Sequence, residues 1–371
     1  MNHPASEEPS ARKWLSELDR VFAAASKECG VQSVVLGIFE RRVRLLLVGQ
    51  ALRERLLPAF RHLVLPADSG PVDLTIKLWD GAASDKLPPP PPWPQSSYAA
   101  RSEVRHGLKD CALQVSFQTE SGTLEVFAAE LGLAYCWVRS VATWPLWQSA
   151  APLRTTLGHF ARTAGGQLVH GAAVGTADGA VLLSAPGGSG KSTTALACLQ
   201  AALLYLGDDY VCLSQAQPRR VFGIYATAKL RRDGVAPMPE LAGSWQHQDG
   251  ESKSLLYLHP RWQDQLALSL PLRAVLIPAI AADARTRLHP ATAREALHAL
   301  APTTVFQLPG SDPAVFRALA ELVRGIPAYR LELGSRPADA AAVIAQLLAA
   351  SVSVSVPGST CRDAEARDAA G

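Results

Sequence analysis

The densest chemical signal in the chain is Ala185-Pro186-Gly187-Gly188-Ser189-Gly190-Lys191-Ser192-Thr193. Apolar residues 181–183 lead into it, and a helix-forming segment with apolar Ala195, Leu196 and Leu199 leads out. Strand, small-residue loop and helix in that order are the context of a phosphate-binding loop (P-loop). Gly187, Gly188 and Gly190 let backbone N–H groups turn inward around a polyphosphate, and the positive end of the following helix faces the same point. Lys191 would then bridge the β- and γ-phosphates, Ser192 would offer its hydroxyl to Mg²⁺, and Ser189 and Thr193 complete the phosphate cradle. One position departs from the pattern: Ala185 stands where the first glycine is usual.

A loop of this kind needs an acidic partner at the tip of a neighbouring strand, because the metal must be held and an attacking group must lose a proton. Asp208 and Asp209 stand at such a position, at the end of the short apolar run 203–206. One carboxylate can hold Mg²⁺, directly or through water, while the other accepts the proton of an attacking hydroxyl or positions water. An ATPase-type acidic strand is the competing reading, but it usually follows a longer interval. His170, within Leu168-Val169-His170-Gly171, is a lone strand histidine, a type that is more often structural; its place shortly before the loop and the paired aspartates marks it for acid–base work.

The elements that must position these residues form an α/β alternation. A helix over 152–163 and a strand over 167–174 precede the loop; strands are expected at 203–206, 211–213, 219–224, 272–277 and 329–333, with a hairpin around 215–218. Helices are expected at 292–300, 313–323 and 338–349, giving a sheet covered by helices over residues 151–350. Residues 13–150 read as a mainly β, mixed N-terminal module: a helix at 14–25, a hairpin from 34–39 and 43–48, a helix at 52–63, and strands at 72–79, 113–117, 123–128 and 133–138. The proline run 88–94 is an extended surface spacer, with a docking site for a proline-recognition module as the less favoured reading. Trp137, Trp144 and Trp147 precede the boundary near residue 150; such aromatics anchor a junction or core more often than they stack on a base. Residues 1–12 and 351–371 are expected to be disordered.

The composition excludes several classes. Lys and Arg total 36 against 33 acidic residues, a net charge of +3 with the basic residues scattered in pairs, so nothing calls for nucleic acid or an anionic membrane. The six cysteines show no CxxC spacing, the N-terminus has no apolar signal region, and no stretch is apolar for the length of a membrane span. A reduced, cytoplasmic compartment is the expectation. Asn2 is the only asparagine, which removes both the Asn-Lys-x-Asp guanine motif and the asparagine of the eukaryotic-type kinase catalytic loop, and favours ATP over GTP.

In order and spacing, His170-Gly171, the loop Gly187 to Ser192, and Asp208-Asp209 resemble the C-terminal catalytic domain of the HPr serine kinase/phosphorylase family, over residues 160–214. The resemblance implies a P-loop nucleotide-binding domain of HPr-kinase/PEP-carboxykinase-like type, using ATP and Mg²⁺. It implies that Asp209 is the general base, that His170 supports the acid–base cycle, that Lys191 stabilises the transferring phosphate, and that Ser192 and Asp208 hold the metal. The family's second signature, a metal-binding Glu in Glu-Ile-Arg-Gly, is absent; the corresponding region reads FGIYATAKLRRDG. There Asp233 is the nearest acidic candidate for the metal, and Lys229, Arg231 and the later Lys253 are candidate phosphate clamps. The stretch 225–230 and the later 253–256 are also similar to relatives found beside peptide-modifying systems, including kinases that phosphorylate a serine of lasso-peptide precursors.

The resulting expectation is a kinase acting on a hydroxyl, foremost a serine of a protein or peptide. A non-catalytic ATP-sensing module and a small-molecule kinase on the same scaffold are the alternatives. Relatives often oligomerise, so a homo-oligomer is compatible with the resemblance.

Overall fold

A computed structural model of the chain describes residues 8–67, 70–93, 113–231, 245–281, 285–308 and 313–353. Helix α1 (Glu8–Cys29) opens it, and the spacing of Trp14, Leu15, Leu18, Phe22 and Ala25 buries them all along one face. Residues 8–12, expected to be disordered, belong to this helix, where Ala11 is buried. Strands β1 (Val31–Ile38) and β2 (Arg41–Val48) form the expected hairpin; Phe39 and Glu40 both take positive φ, the turn form that matches strand twist.

Helix α2 (Gln50–Leu56) passes into a tighter 3-10 segment, Leu57–Leu63, where one helix was expected; Pro58, which has no N–H to give, sits at the change. Strands β3 (Val64–Leu65) and β4 (Leu74–Asp80), the single turn α3 (Gly81–Ser84), and β5 (Leu113–Gln118), β6 (Thr123–Ala128) and β7 (Leu133–Val138) follow. The first sheet runs β3-β1-β2-β4-β7-β6-β5. One face packs on α1 through Trp79, Val126 and Tyr135, and Asp19 of α1 accepts the Tyr135 hydroxyl at 2.7 Å and pairs with Lys77. The described part of the proline run is no free spacer: Trp14 Nε1 donates to the Pro89 carbonyl at 3.0 Å and the Trp93 ring meets Trp14 edge-on.

The second half opens with α4 (Leu146–Ala150) and α5 (Arg154–Thr163). The single strand expected over 167–174 is two, β8 (Gly166–His170) and β9 (Ala172–Thr176). They part at Gly171, whose N–H donates to the Asp209 carbonyl at 2.9 Å and where a Cβ would press on the Leu183 carbonyl. Then come β10 (Gly179–Leu183), α6 (Lys191–Gln200), β11 (Leu204–Gly207), β12 (Tyr210–Ser214), β13 (Arg220–Phe222), β14 (Thr227–Arg231), β15 (Lys253–Tyr257), β16 (Ser269–Ile280) and β17 (Arg287–Ala291). Helices α7 (Ala293–Gln307) and α8 (Pro313–Val323), strand β18 (Ala328–Leu333) and helix α9 (Pro337–Ser353) complete the described chain.

The second sheet runs β11-β9-β10-β16-β13-β12-β8, with β18 on β16 and β17 on the far edge, while β14 and β15 pair separately. Strand β10 lies parallel to β16 and antiparallel to β9, so the sheet is mixed. Both faces are covered, which explains the unbroken burial of β10: Val181 and Leu183 face α6 and α9, and Ala180 and Leu182 face α7 and α8. The two sheets draw their strands from either side of residue 150, yet one core joins them. Leu36, Phe60 and Phe127 share it with Leu157, Phe160, Leu168, Phe222 and Tyr225.

Candidate active site

Four chain segments bring the residues singled out in the sequence to a cavity of about 470 Å³. The first is the glycine loop. It leaves β10 after Leu183 and enters α6 at Lys191, as the sequence pattern requires. Gly190 is at φ 94°, and a Cβ there would run into Leu333 of β18, so the last turn before the helix admits only glycine. Gly187 and Gly188 have open space where a Cβ would stand, and they line the cavity with Gly190, Lys191, Ser192 and Thr193. Ser189 does not line it; its Oγ is buried without a partner among the described residues. Lys191 is buried and donates to the carbonyls of Ala185 at 2.6 Å and Pro186 at 3.0 Å; its burial lowers its pKa.

The second segment is the turn from β11 to β12. Asp209 sits at φ 69°, a conformation uncommon for a residue with a side chain, and its carbonyl is taken by Gly171 N–H. This locks the paired aspartates to the end of β8. Asp208 accepts from Ser192 Oγ at 3.0 Å and from the Lys229 backbone N–H at 3.2 Å. Burial, then the neighbouring Asp209, raises the Asp208 carboxyl to about 6.

The third and fourth segments are β8, with His170 at its end, and the β14–β15 pair, which the sequence had not disclosed as strands. Lys229 Nζ of β14 meets Asp209 Oδ2 at 2.5 Å. Burial alone would raise the Asp209 carboxyl, but the Lys229 and Lys253 charges outweigh it and hold Asp209 well below the usual carboxylate range. Lys229 is correspondingly raised, Asp209 overcoming the effect of burial. His170 Nε2 lies 3.8 Å from Asp209 Oδ1, and its backbone N–H donates to Thr304 Oγ1 of α7. Burial outweighs the nearby carboxylate and lowers the imidazole to about 4, so it is neutral at pH 7. Its Nδ1 is buried without a partner among the described residues.

The structure thus brings His170, Lys191, Ser192, Asp209, Lys229, Arg231 and Lys253 to one cavity, with Asp208 behind Ser192. Asp233 lies outside the described residues. Sequence reasoning did not single out Arg154, Tyr210 and Gln307, which line the same cavity with Trp147. Trp137 and Trp144 are buried, as expected of core anchors, whereas Trp147 faces the cavity. Tyr210 adjoins Asp209 in sequence, a signal that was available; Arg154 and Gln307 come from distant helices and carry none.

The residues fit a magnesium-bound polyphosphate. Open glycine positions and a set of lysines suit phosphate oxygens, and Ser192 with Asp208 offers two oxygen ligands, consistent with a cation that also takes phosphate and water. Among the described residues no group of three or more His, Cys, Asp or Glu forms a metal cluster of its own.

Two sheets of mixed strand direction, the second carrying the glycine loop and the paired aspartates, define a mixed α/β protein. No family model and no curated protein matches the chain. Among solved structures, the HPr(Ser) kinase/phosphatase from Coxiella burnetii is similar in part, at 11% identity and a TM-score of 0.27 over 50% of this chain and 95% of that one. A likeness that loose carries no argument about activity. Among the described residues no helix is long and apolar enough to cross a membrane.

Proposed function

We propose that this protein is an ATP-dependent kinase that moves the γ-phosphoryl group to a hydroxyl, foremost a serine of a protein or peptide. The observation that carries the reading is the meeting of the glycine loop, Lys191 and the Asp209–Lys229 pair in one cavity. The loop amides and Lys191 bind the polyphosphate, and Ser192 and Asp208 hold Mg²⁺, which when bound offsets phosphate charge. Asp209 accepts the proton of the acceptor hydroxyl as the new oxygen–phosphorus bond forms, the bond to the β-phosphate oxygen breaks, and ADP leaves. Lys229 pairs with Asp209 and lines the same cavity as the glycine loop. A phosphoryl group drawing it forward loosens its hold on Asp209 and restores the carboxylate's basicity when a substrate is in place. His170, neutral and against Asp209, orients that carboxylate and is free to relay its proton.

One observation favours a second reading. A carboxylate paired at 2.5 Å with a lysine is a weak base as it stands, which suits a module that binds ATP and transfers nothing. Intact-mass spectrometry decides between them. Serine peptides, first any short peptide encoded beside this gene, are incubated with ATP, Mg²⁺ and wild-type or Asp209→Asn protein. The kinase reading expects a gain of about 80 Da per transfer, reduced at least about 100-fold in the variant while ATP binding persists. ATP binding with no gain on any acceptor favours the sensing module.

A further inference from the structure

The cavity has a second wall that the transfer scheme leaves idle. There Arg154, the first residue of α5, lays its guanidinium over the Trp147 ring at 4.6 Å and 5.9 Å from the Tyr210 ring. Tyr210 stands edge-on to His170 at 5.7 Å and donates its hydroxyl to Gln307 Oε1 at 3.0 Å. His170 in turn reaches Asp209. The wall therefore runs from Arg154 to the carboxylate that meets the acceptor hydroxyl.

Arg154 is a half-buried cation for which no described carboxylate lies within ion-pairing distance. Glu125, a carboxylate that feels its charge, is turned to the Thr156 amide and hydroxyl. The other cations of the cavity come from the glycine loop and the β14–β15 pair, where a polyphosphate or Asp209 engages them. Arg154 arrives on a different element, and its placement is fixed: Leu153 before it is held at φ 59°, and Glu125 anchors the same first turn through Thr156. Stacking on Trp147 and a hydrogen bond to the Tyr210 hydroxyl hold the guanidinium in place, and its remaining N–H donors can take a carboxylate through two parallel hydrogen bonds.

We infer that the Trp147–Arg154–Tyr210–Gln307 wall is the acceptor subsite, and that Arg154 makes the enzyme select a serine with an acidic side chain nearby. The inference rests on the kinase reading. The three contacts from Arg154 to Asp209 span at most roughly 16–17 Å; three extended residues cover about 10 Å of that and the serine and acidic side chains the rest, so the acidic residue lies within about three positions of the serine.

The test uses the full-length protein and matched peptides carrying one serine flanked within three positions by Asp or by Asn. Wild type is expected to favour the Asp peptide about tenfold or more in kcat/KM. Arg154→Met is expected to reduce that ratio below about twofold, and Arg154→Lys to restore part of it. Calorimetric titration of the same peptides with Ala in place of the serine, in the presence of ADP and Mg²⁺, reads the preference without chemistry.

A wild-type ratio near one with both peptides phosphorylated overturns the acidic preference and leaves the kinase standing. So does an Arg154→Met variant that weakens ATP binding and affects both peptides alike, since Arg154 then serves the nucleotide. Arg154-dependent binding of the acidic Ala peptide without transfer to any serine peptide supports the subsite and sinks the kinase reading. Neither transfer nor a binding preference overturns both.

Discussion

Asp209 is constrained from three sides: its backbone φ, the Gly171 N–H on its carbonyl, and Lys229 on its carboxylate. Such redundancy around one polar side chain, in a conformation that costs on the order of 1 kcal/mol or more, is what a fixed reaction geometry requires. The pair therefore acts as a unit. Lys229→Met removes the partner of a buried carboxylate and, on the proposed mechanism, a contact to the phosphate, and is expected to lower transfer by about 100-fold or more. Because Asp209→Asn already abolishes the proton acceptor, the double variant is expected to be little worse than Asp209→Asn alone. Single-turnover rates of the four proteins of that cycle check this. Multiplying losses would mean that the two residues work separately and that Lys229 is only a phosphate clamp.

Helix α5 connects the first sheet to the cavity, and the contact that sets its start is Glu125 of β6. The buried carboxylate accepts the Thr156 N–H at 2.8 Å and its hydroxyl at 2.7 Å, satisfying helix donors from outside the helix. Burial raises its carboxyl above the ordinary 4.5, against the pull of Thr156. The folded protein thus keeps a proton there that the unfolded chain has released, and stability from this site falls as pH rises from about 4.5 through the folded value. Glu125→Gln keeps an acceptor for Thr156 and carries no such proton. Melting temperatures are expected to favour wild type over Glu125→Gln in acid and to lose that advantage toward pH 8, whereas Glu125→Ala costs on the order of 2 kcal/mol at either pH. At the scale of elements, what the sequence disclosed was what the chain order carries. The loop between β10 and α6 and the Asp-Asp turn are local patterns. Strand β14 escaped notice because Ala228, Lys229, Leu230 and Arg231 are good helix formers. Pro290 hid β17, which tolerates it by pairing with β18 alone. Arg154 and Gln307 reach the site through packing between helices far apart in the chain, which no spacing encodes.

The largest-scale question is whether the two halves stand alone. Their sheets are separate in hydrogen bonding, which is why composition and periodicity divide the chain near residue 150. The contacts across that division are those of one interior. The Ala226 N–H donates to the Ala59 carbonyl and Thr227 Oγ1 to the Ala150 carbonyl, while the Phe60 and Tyr225 rings meet at 5.4 Å. Residues 225–227 lead directly into the strand that carries Lys229, so the first half props the element that holds Asp209. Cutting between the halves would expose Phe160, Leu168, Phe222 and Tyr225 together with buried hydroxyls and carbonyls, each unsatisfied group costing roughly 1–3 kcal/mol. A fragment of residues 151–350 is therefore expected to aggregate or remain unfolded and to bind no ATP. The intact protein is expected to unfold in one cooperative transition, with calorimetric and van't Hoff enthalpies in agreement. Two resolved transitions, with ATP raising only the second, would instead assign the nucleotide site to a self-sufficient C-terminal unit and leave the first sheet no part in positioning Lys229.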